Sequence, residues 1–329
     1  MDVSRATTER EQVNGMISGH HHISMFTKDL KENNHFYTEV LGLRRVKVSV
    51  NQGDPKMYHV FYGDTLGSAG NDLTFFEIGN IGSTHPGTNM ISAIGLLVPS
   101  SGSLEYWWQR LDSYDVSHDG VSKYGNREGL RFKDPDGLAI VLINHDGEAV
   151  PEAWQPWSEN SIDEAHRILG MGTVEITVED MKRLSSLLED IFDYTIVYEK
   201  PQEALLASVE NEAFGEILIK DESGKKARAG RGSVHHLAIQ SSERPLEEWD
   251  RILKNQGYVT TGIKDRYYFE SLYFTEENDI TFEIVGPVSR GFTADRSAEA
   301  LGTTLDLPPF LEDRREEIES HLRPIEKWI

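Results

Sequence analysis

Two short stretches concentrate imidazoles. ISGHHHISMFT, residues 17–27, and GSVHHLAIQS, residues 232–241, each set adjacent histidines at the mouth of an alternating apolar run. Imidazole either carries protons near neutral pH or ligates divalent metals. Two other apolar runs carry a carboxylate: LTFFEIG, with Glu77, and ITFEIVG, with Glu283. The chain has no cysteine, which excludes disulfides, iron–sulfur clusters, thiolate nucleophiles and Cys-type zinc sites. Any metal must therefore be held by His, Asp or Glu. Neighbouring side chains on a strand point to opposite faces, so only one histidine of each pair can join a ligand set.

The elements that carry these residues repeat. Four strand-like runs open in the same way: HHHISMFT at 20–27, SAIGLLVP at 92–99, GTVEITVE at 172–179 and VHHLAIQS at 234–241. A segment of helical period follows each one, at 29–43, 102–116, 180–195 and 245–259, with apolar residues three and four apart. Strand-like runs then return, and each unit closes on a further strand, LTFFEIG, LAIVLIN, GEILIKD or ITFEIVG. The spacing predicts an α+β fold of four β-α-β-β-β repeats. Each repeat is too small to bury its own sheet, so we expect them to pair into two domains with curved mixed sheets. Expected boundaries are a flexible N-terminus at 1–16, a first domain of two repeats at 17–146, a linker at 147–166 and a second domain of two repeats at 167–290. A C-terminal extension with a docked helix, marked by Leu311, Ile318 and Leu322, completes the chain at 291–329. The linker GEAVPEAWQPWSENSIDEAH is rich in Pro, Trp and acidic residues and should pack across both halves. The adjacent tryptophans of LEYWWQRL read as helix-face core.

Composition removes several classes of function. With 329 residues, 38% hydrophobic and 27% charged, the chain can form two globular domains. A formal charge of -22 argues against nucleic acid, which is bound by neutralising phosphates with Lys and Arg. No apolar run reaches the roughly 18 residues of a membrane span, and the polar start MDVSRATTEREQVNG lacks a signal-type apolar segment. A cytoplasmic location is the resulting expectation.

The fourfold pattern, with His in the first strand of a unit and Glu in its last, resembles the vicinal-oxygen-chelate superfamily of glyoxalases, bleomycin-resistance proteins and extradiol dioxygenases. HHHISMFTKDLKENNHFYTEVLGLRRVKVSVN with YHVFYGD, and GRGSVHHLAI with DRYYFESLYF and ITFEI, are similar to its hydroquinone-type ring-cleaving dioxygenases. In such a unit the first and last strands lie side by side, so residues on them converge in a metal cup. The resemblance then implies metal ligands His22, His236 and Glu283, drawn from units one and four. Unit two offers Ile94 or Gly95 and an apolar closing run, and unit three offers Glu175 without a partner. Two histidines and one carboxylate occupy one face of an octahedron and leave positions open, the arrangement of non-haem Fe(II) oxygenases. Fe(II) is therefore the expected cofactor, with Mn(II) as the alternative on the same N and O donors.

By the same alignment His21 and His235 orient ligands or touch substrate, and Arg266 and Tyr273 line the pocket as catalytic hydrogen-bonding groups. Ser24, two residues beyond His22 on the same face, and His59 of MYHVFYGD are candidates for binding substrate, while His20 falls outside. The implied reaction is insertion of O2 into a hydroquinone- or catechol-like diphenol, in a chain that could form a homo-oligomer. Two rivals stand beside it. A glyoxalase-type lyase or isomerase would need a fourth ligand, which Glu77 supplies if it faces inward. A resistance-type protein would merely sequester a small aromatic compound. Aligning LTFFEIG and ITFEIVG on their threonines sets Glu283 opposite Phe76, which favours three ligands.

Overall fold

The structure is a computed structural model that describes residues 16–209 and 212–329. Most of the expected flexible N-terminus, residues 1–15, lies outside the described residues. Unit one comprises β1 (Ile17–Thr27), α1 (Leu30–His35), β2 (Arg44–Asn51), β3 (Asp54–Gly63) and β4 (Asp72–Glu77). Unit two comprises β5 (Met90–Val98), α2 (Ser101–Ser113), β6 (His118–Tyr124), β7 (Arg127–Lys133) and β8 (Ala139–Asn144). Unit three comprises β9 (Gly170–Val178), α3 (Met181–Asp190), β10 (Thr195–Lys200), β11 (Glu203–Ala207) and β12 (Glu216–Asp221). Unit four comprises β13 (Val234–Ser241), α4 (Leu246–Asn255), β14 (Lys264–Asp265), β15 (Phe269–Thr275) and β16 (Thr281–Ser289).

Local chemistry explains the element starts. The carboxylates of Asp29 and Asp180 accept from the backbone N–H of Lys31 and Arg183, satisfying first-turn donors of α1 and α3 that have no partner within the helix. In α4 the apolar spacing Leu246, Trp249, Leu253 becomes the buried face. In unit two, β6 escapes a period-2 reading because HDGVSKY is mostly polar and exposed. Trp107 is fully buried, whereas Trp108 is 38% exposed; consecutive helical residues diverge too far for both to face one core, which corrects the reading of the pair.

Sheet pairing joins the units in a nested order. Within units the first and last strands run parallel, as in β1 with β4 and β13 with β16. Between units the first strands pair antiparallel: β1 with β13, and β5 with β9. One eight-stranded sheet therefore holds units one and four, in the order β14-β15-β16-β13-β1-β4-β3-β2. The other holds units two and three, in the order β10-β11-β12-β9-β5-β8-β7-β6.

Alternation along β1 separates two environments. Ile23 and Met25 enter the main core, while His22 and Ser24 line a cavity on the other face. The sheet curls until its edges meet across that cavity: Gln52 Nε2 donates to Arg266 O, and Lys47 Nζ sits 3.8 Å from the Tyr268 ring centre. The extension then straps β2: the Asp306 N–H donates to Val48 O, and the Arg45 guanidinium donates to Gly302 O. Its helical part is two short pieces, α5 (Pro309–Glu312) and α6 (Arg315–His321), with Leu311 and Ile318 buried and Leu322 only partly so. In the linker, Trp154 is buried and donates from Nε1 to Ala69 O. Among the described residues no helix is long and apolar enough to cross a membrane.

Candidate metal centre

β1, β13 and β16 lie adjacent in one sheet, so side chains on their shared face must approach one another. His22 Nε2 stands 3.0 Å from Glu283 Oε2, His236 Nε2 stands 2.9 Å from the same oxygen, and the two nitrogens are 3.3 Å apart. All three residues are buried. One ion with bonds of about 2.1 Å to mutually cis donors would hold those donors roughly 3.0 Å apart, so the spacing matches a facial set. The carboxylate is fully buried, yet neither oxygen receives an aligned hydrogen bond. A buried anion without aligned donors is costly, and three lone pairs aimed at one point instead suit a cation. Burial alone would raise the Glu283 pKa, but His22 and His236 outweigh it and hold the carboxyl well below its usual range. Burial lowers His236, against the pull of Glu283.

The second histidine of each pair supports the first. His21 Nδ1 lies 2.8 Å from His22 Nδ1, and His235 Nδ1 lies 2.7 Å from His236 Nδ1. An ion held at Nε2 would leave His22 and His236 to carry the proton on Nδ1 and to donate it to a neighbour that must be neutral to accept. Burial pushes His21 down to about 3 and His235 to about 4, so both are neutral acceptors near pH 7. Strict alternation would have turned these rings away. Register shifts at the start of β1, together with Gly19 at φ 120, break it there and bring His21 to the site. His235 instead packs edge-on to Phe26 in the outer part of the pocket. His20 is held elsewhere, with Nε2 bonded to Glu216 O.

The remaining expected residues gather around the triad. Tyr273 pairs with Glu283 across β15 and β16, with its ring edge-on to His236 at 5.3 Å. Burial, then the Glu283 carboxylate, raises its pKa above the usual tyrosine range, so it remains a hydroxyl donor. The Arg266 guanidinium lies 5.2 Å from the Tyr273 ring centre. Ser24 Oγ lies 2.7 Å from Thr74 Oγ1, and His59 Nε2 lies 2.9 Å from the same hydroxyl. His22, Ser24, His59, His236 and Tyr273 line one cavity of about 80 Å3, and Asn51, Phe76, Arg266 and Tyr273 continue from it into a wider mouth of about 830 Å3.

Glu77 does not face the cavity: its Oε1 takes the Leu30 N–H and the Arg323 guanidinium at 2.8 Å. The threonine alignment also slips by two residues. Ser24 pairs with Thr74 and Ala238 pairs with Glu283, so Thr74, not Phe76, holds the place of Glu283 in unit one. Sequence reading missed Thr74 for that reason. It also missed Lys47, fully buried on the cavity wall; the alternation of Lys47, Ser49 and Asn51 with valines was the available signal, but a polar strand face usually means solvent. A second His/Glu set, His145, Glu148 and Glu212, is less apt, because Glu148 is exposed and already paired with Arg127.

Comparison with known proteins agrees with this architecture. The family described as Glyoxalase/Bleomycin resistance protein/Dioxygenase superfamily matches residues 19–142. The chain is 42% identical to "Putative ring-cleaving dioxygenase MhqA" of Bacillus subtilis, covering 94% of this chain and 99% of that protein. It is 26% identical to "Chlorohydroquinone/hydroquinone 1,2-dioxygenase" of Sphingobium indicum, over 92% and 95%. A crystal structure described as a "putative dioxygenase" from Bacillus subtilis superposes with a TM-score of 0.86 at 29% identity, over 94% of this chain and 98% of that one. With two curled sheets built from four repeats and relatives matched over nearly the whole chain, the protein belongs to the glyoxalase, bleomycin resistance protein and dioxygenase superfamily, alongside its ring-cleaving dioxygenases.

Proposed function

We propose that this chain is a non-haem Fe(II) ring-cleaving dioxygenase for a hydroquinone- or catechol-like diphenol. The observation that carries the reading is the convergence of His22, His236 and Glu283, all buried, to donor separations of 2.9, 3.0 and 3.3 Å. Relatives named for ring cleavage and for hydroquinone support the substrate class. Fe(II), with Mn(II) as the alternative, would supply open positions where a phenolate oxygen and dioxygen meet.

The chain's own residues do the rest. The Tyr273 hydroxyl, kept protonated, donates to an oxygen of the bound ring and orients it. Arg266 faces the same mouth and offsets negative charge that develops on the ring oxygens. His21 and His235 fix the rotation of the ligating rings. His59, lowered well below its usual pKa by burial, remains an uncharged part of the wall. Aromatic walls from Phe61, Phe76 and Phe269 exclude water from the reacting ring.

The test is oxygen uptake by anaerobically Fe(II)-loaded protein across a panel of para- and ortho-diphenols. Ring-opened product carrying both atoms of labelled dioxygen is the expected result. Tight diphenol binding without oxygen uptake, by protein confirmed to hold iron, would overturn the reading in favour of sequestration.

A further inference from the structure

The turn after β8 and the segment that leads into β12 bring a second set of donors together. His145 follows β8 directly, and the Glu148 N–H donates back to His145 O, which folds the start of the linker over the imidazole. Glu212 arrives from unit three, just ahead of β12. One donor atom from each residue lies within 4.8 Å of the others, and His145 Nδ1 stands 3.8 Å from Glu148 Oε2. The imidazole is fully buried. Its Nε2 lies 3.2 Å from Ala149 O, and a carbonyl can only accept, so the ring proton sits on Nε2. Nδ1 is left with a bare lone pair and no hydrogen-bond partner among the described residues. The carboxylates it faces have no proton to give it, and 3.8 Å is too long for a hydrogen bond in any protonation state. Oε2 of Glu212 is buried and unpartnered as well. Negative charge is in excess here: Arg127 reaches Glu148 Oε1 at 3.2 Å and Glu216 Oε1 at 4.0 Å, with Glu212 the third carboxylate of the group.

We propose that His145, Glu148 and Glu212 bind a structural Zn(II) ion, separate from the centre at His22, His236 and Glu283. A ligating histidine characteristically gives its other N–H to a carbonyl or carboxylate, and Ala149 O fills that role. An imidazole donor disfavours Ca(II) and Mg(II), which take oxygen ligands, and suits Zn(II) beside carboxylates. Arg127 occupies only Oε1 of Glu148, so Oε2 stays available on the His145 side. Tetrahedral bonds of about 2.1 Å set donors about 3.4 Å apart, and the exposed Glu148 side chain can close the difference by rotation. That exposure unfits the set for water-excluded chemistry but leaves a fourth position to water, which a structural ion tolerates. The ion braces a junction. It ties the end of β8 and the start of the linker to the segment of unit three in which Phe214 packs on Trp154, ring centres 5.7 Å apart, and Glu216 O holds His20 Nε2 of β1 at 3.1 Å.

The experiment counts and locates zinc on the full chain. Metal-stripped protein is equilibrated with Zn(II), and bound ion is measured by mass spectrometry for the parent, for the double variant His22→Ala with His236→Ala, and for that double variant carrying His145→Ala or Glu212→Gln as well. The double variant should retain one Zn(II) per chain, and either further substitution should abolish it. Zn(II) should also raise the thermal unfolding midpoint of the double variant by a few degrees and leave the triple variants unmoved. In zinc-soaked crystals of the parent, anomalous scattering at the zinc edge should peak within bonding distance of His145 Nδ1. A double variant that takes up no zinc, a folded triple variant that keeps it, or parent crystals with a peak only between His22, His236 and Glu283 would each overturn the proposal while leaving the proposed ring-cleaving centre untouched. Glu212→Gln preserves shape and removes only the charge, so it serves should His145→Ala fail to fold. The anomalous map needs no variant at all.

Discussion

A ligating imidazole must keep one nitrogen bare for the ion and its proton on the other, and that proton needs an acceptor. His21 provides one for His22 at 2.8 Å, and His235 provides one for His236 at 2.7 Å. On the proposed metal reading, the duplicated histidine pairs make sense as ligand plus acceptor. His21→Leu keeps the bulk but removes the acceptor, leaving His22 free to rotate or to carry its proton on Nε2. We expect Mn(II) affinity to fall by about 10- to 100-fold with the fold preserved. Calorimetric titration of the variant against the parent measures this, and equal affinities would reduce His21 to a packing residue. Adjacent histidines are visible in any reading of the chain. Which nitrogen faces which is not, because register shifts in β1 decide whether His21 points toward its neighbour.

At the scale of elements, the corner after β7 carries a carboxyl group whose ionisation the fold delays. Asp134 is buried, accepts backbone N–H groups from Asp136 and Leu138, and accepts the Tyr37 hydroxyl from unit one. Burial raises its pKa to about 7 in spite of the Leu138 amide. Below the unfolded value of 3.8 both states are protonated. Between there and about 7 the unfolded chain ionises first, so stability falls as pH rises, by about 1.4 kcal/mol per unit, and levels off above. Asp134→Asn keeps the shape without the ionisation. Urea midpoints should show the variant gaining on the parent from pH 4 to pH 7 and holding its lead thereafter; parallel curves would remove Asp134 as the cause. The four opening strands and four helices around such corners were legible, because their periods of 2 and 3.6 are written in buried side chains. β6 was not, since an exposed edge strand buries too little to leave a pattern. The pairing of β4 was not either, for Thr74 and Glu283 become equivalent only through ladder offsets that no single strand encodes.

At the scale of the molecule, the last stretch of chain closes the sheet that the first stretch opens. The spacing of Leu311, Ile318 and Leu322 announced a docked helix but not this closure, since the contacts that matter are a buried ion pair and hydrogen bonds to β2. Lys47 reaches through the wall to Asp306 at 3.3 Å, beneath the rings of Tyr268 and Phe292 at 3.8 and 5.4 Å. Burial lowers the lysine pKa, while Asp306 opposes that shift. Asp306 is shared: its other oxygen takes Arg296, and its backbone carbonyl takes the Ser49 hydroxyl. The two partners should therefore respond unequally to removal. Asp306→Leu leaves a fully buried ammonium without its nearest carboxylate, a change that typically costs about 3–5 kcal/mol. Lys47→Met removes the ammonium and leaves Asp306 still paired with the half-buried Arg296, so its cost should be smaller, and the apolar side chain can pack on Tyr268. In the double variant the cost of Asp306→Leu should shrink, because no ammonium remains to be stranded. Urea denaturation of the parent and the three variants completes the cycle. Additive costs, or a Lys47→Met penalty equal to that of Asp306→Leu, would show that the extension is held by its backbone strap rather than by this pair.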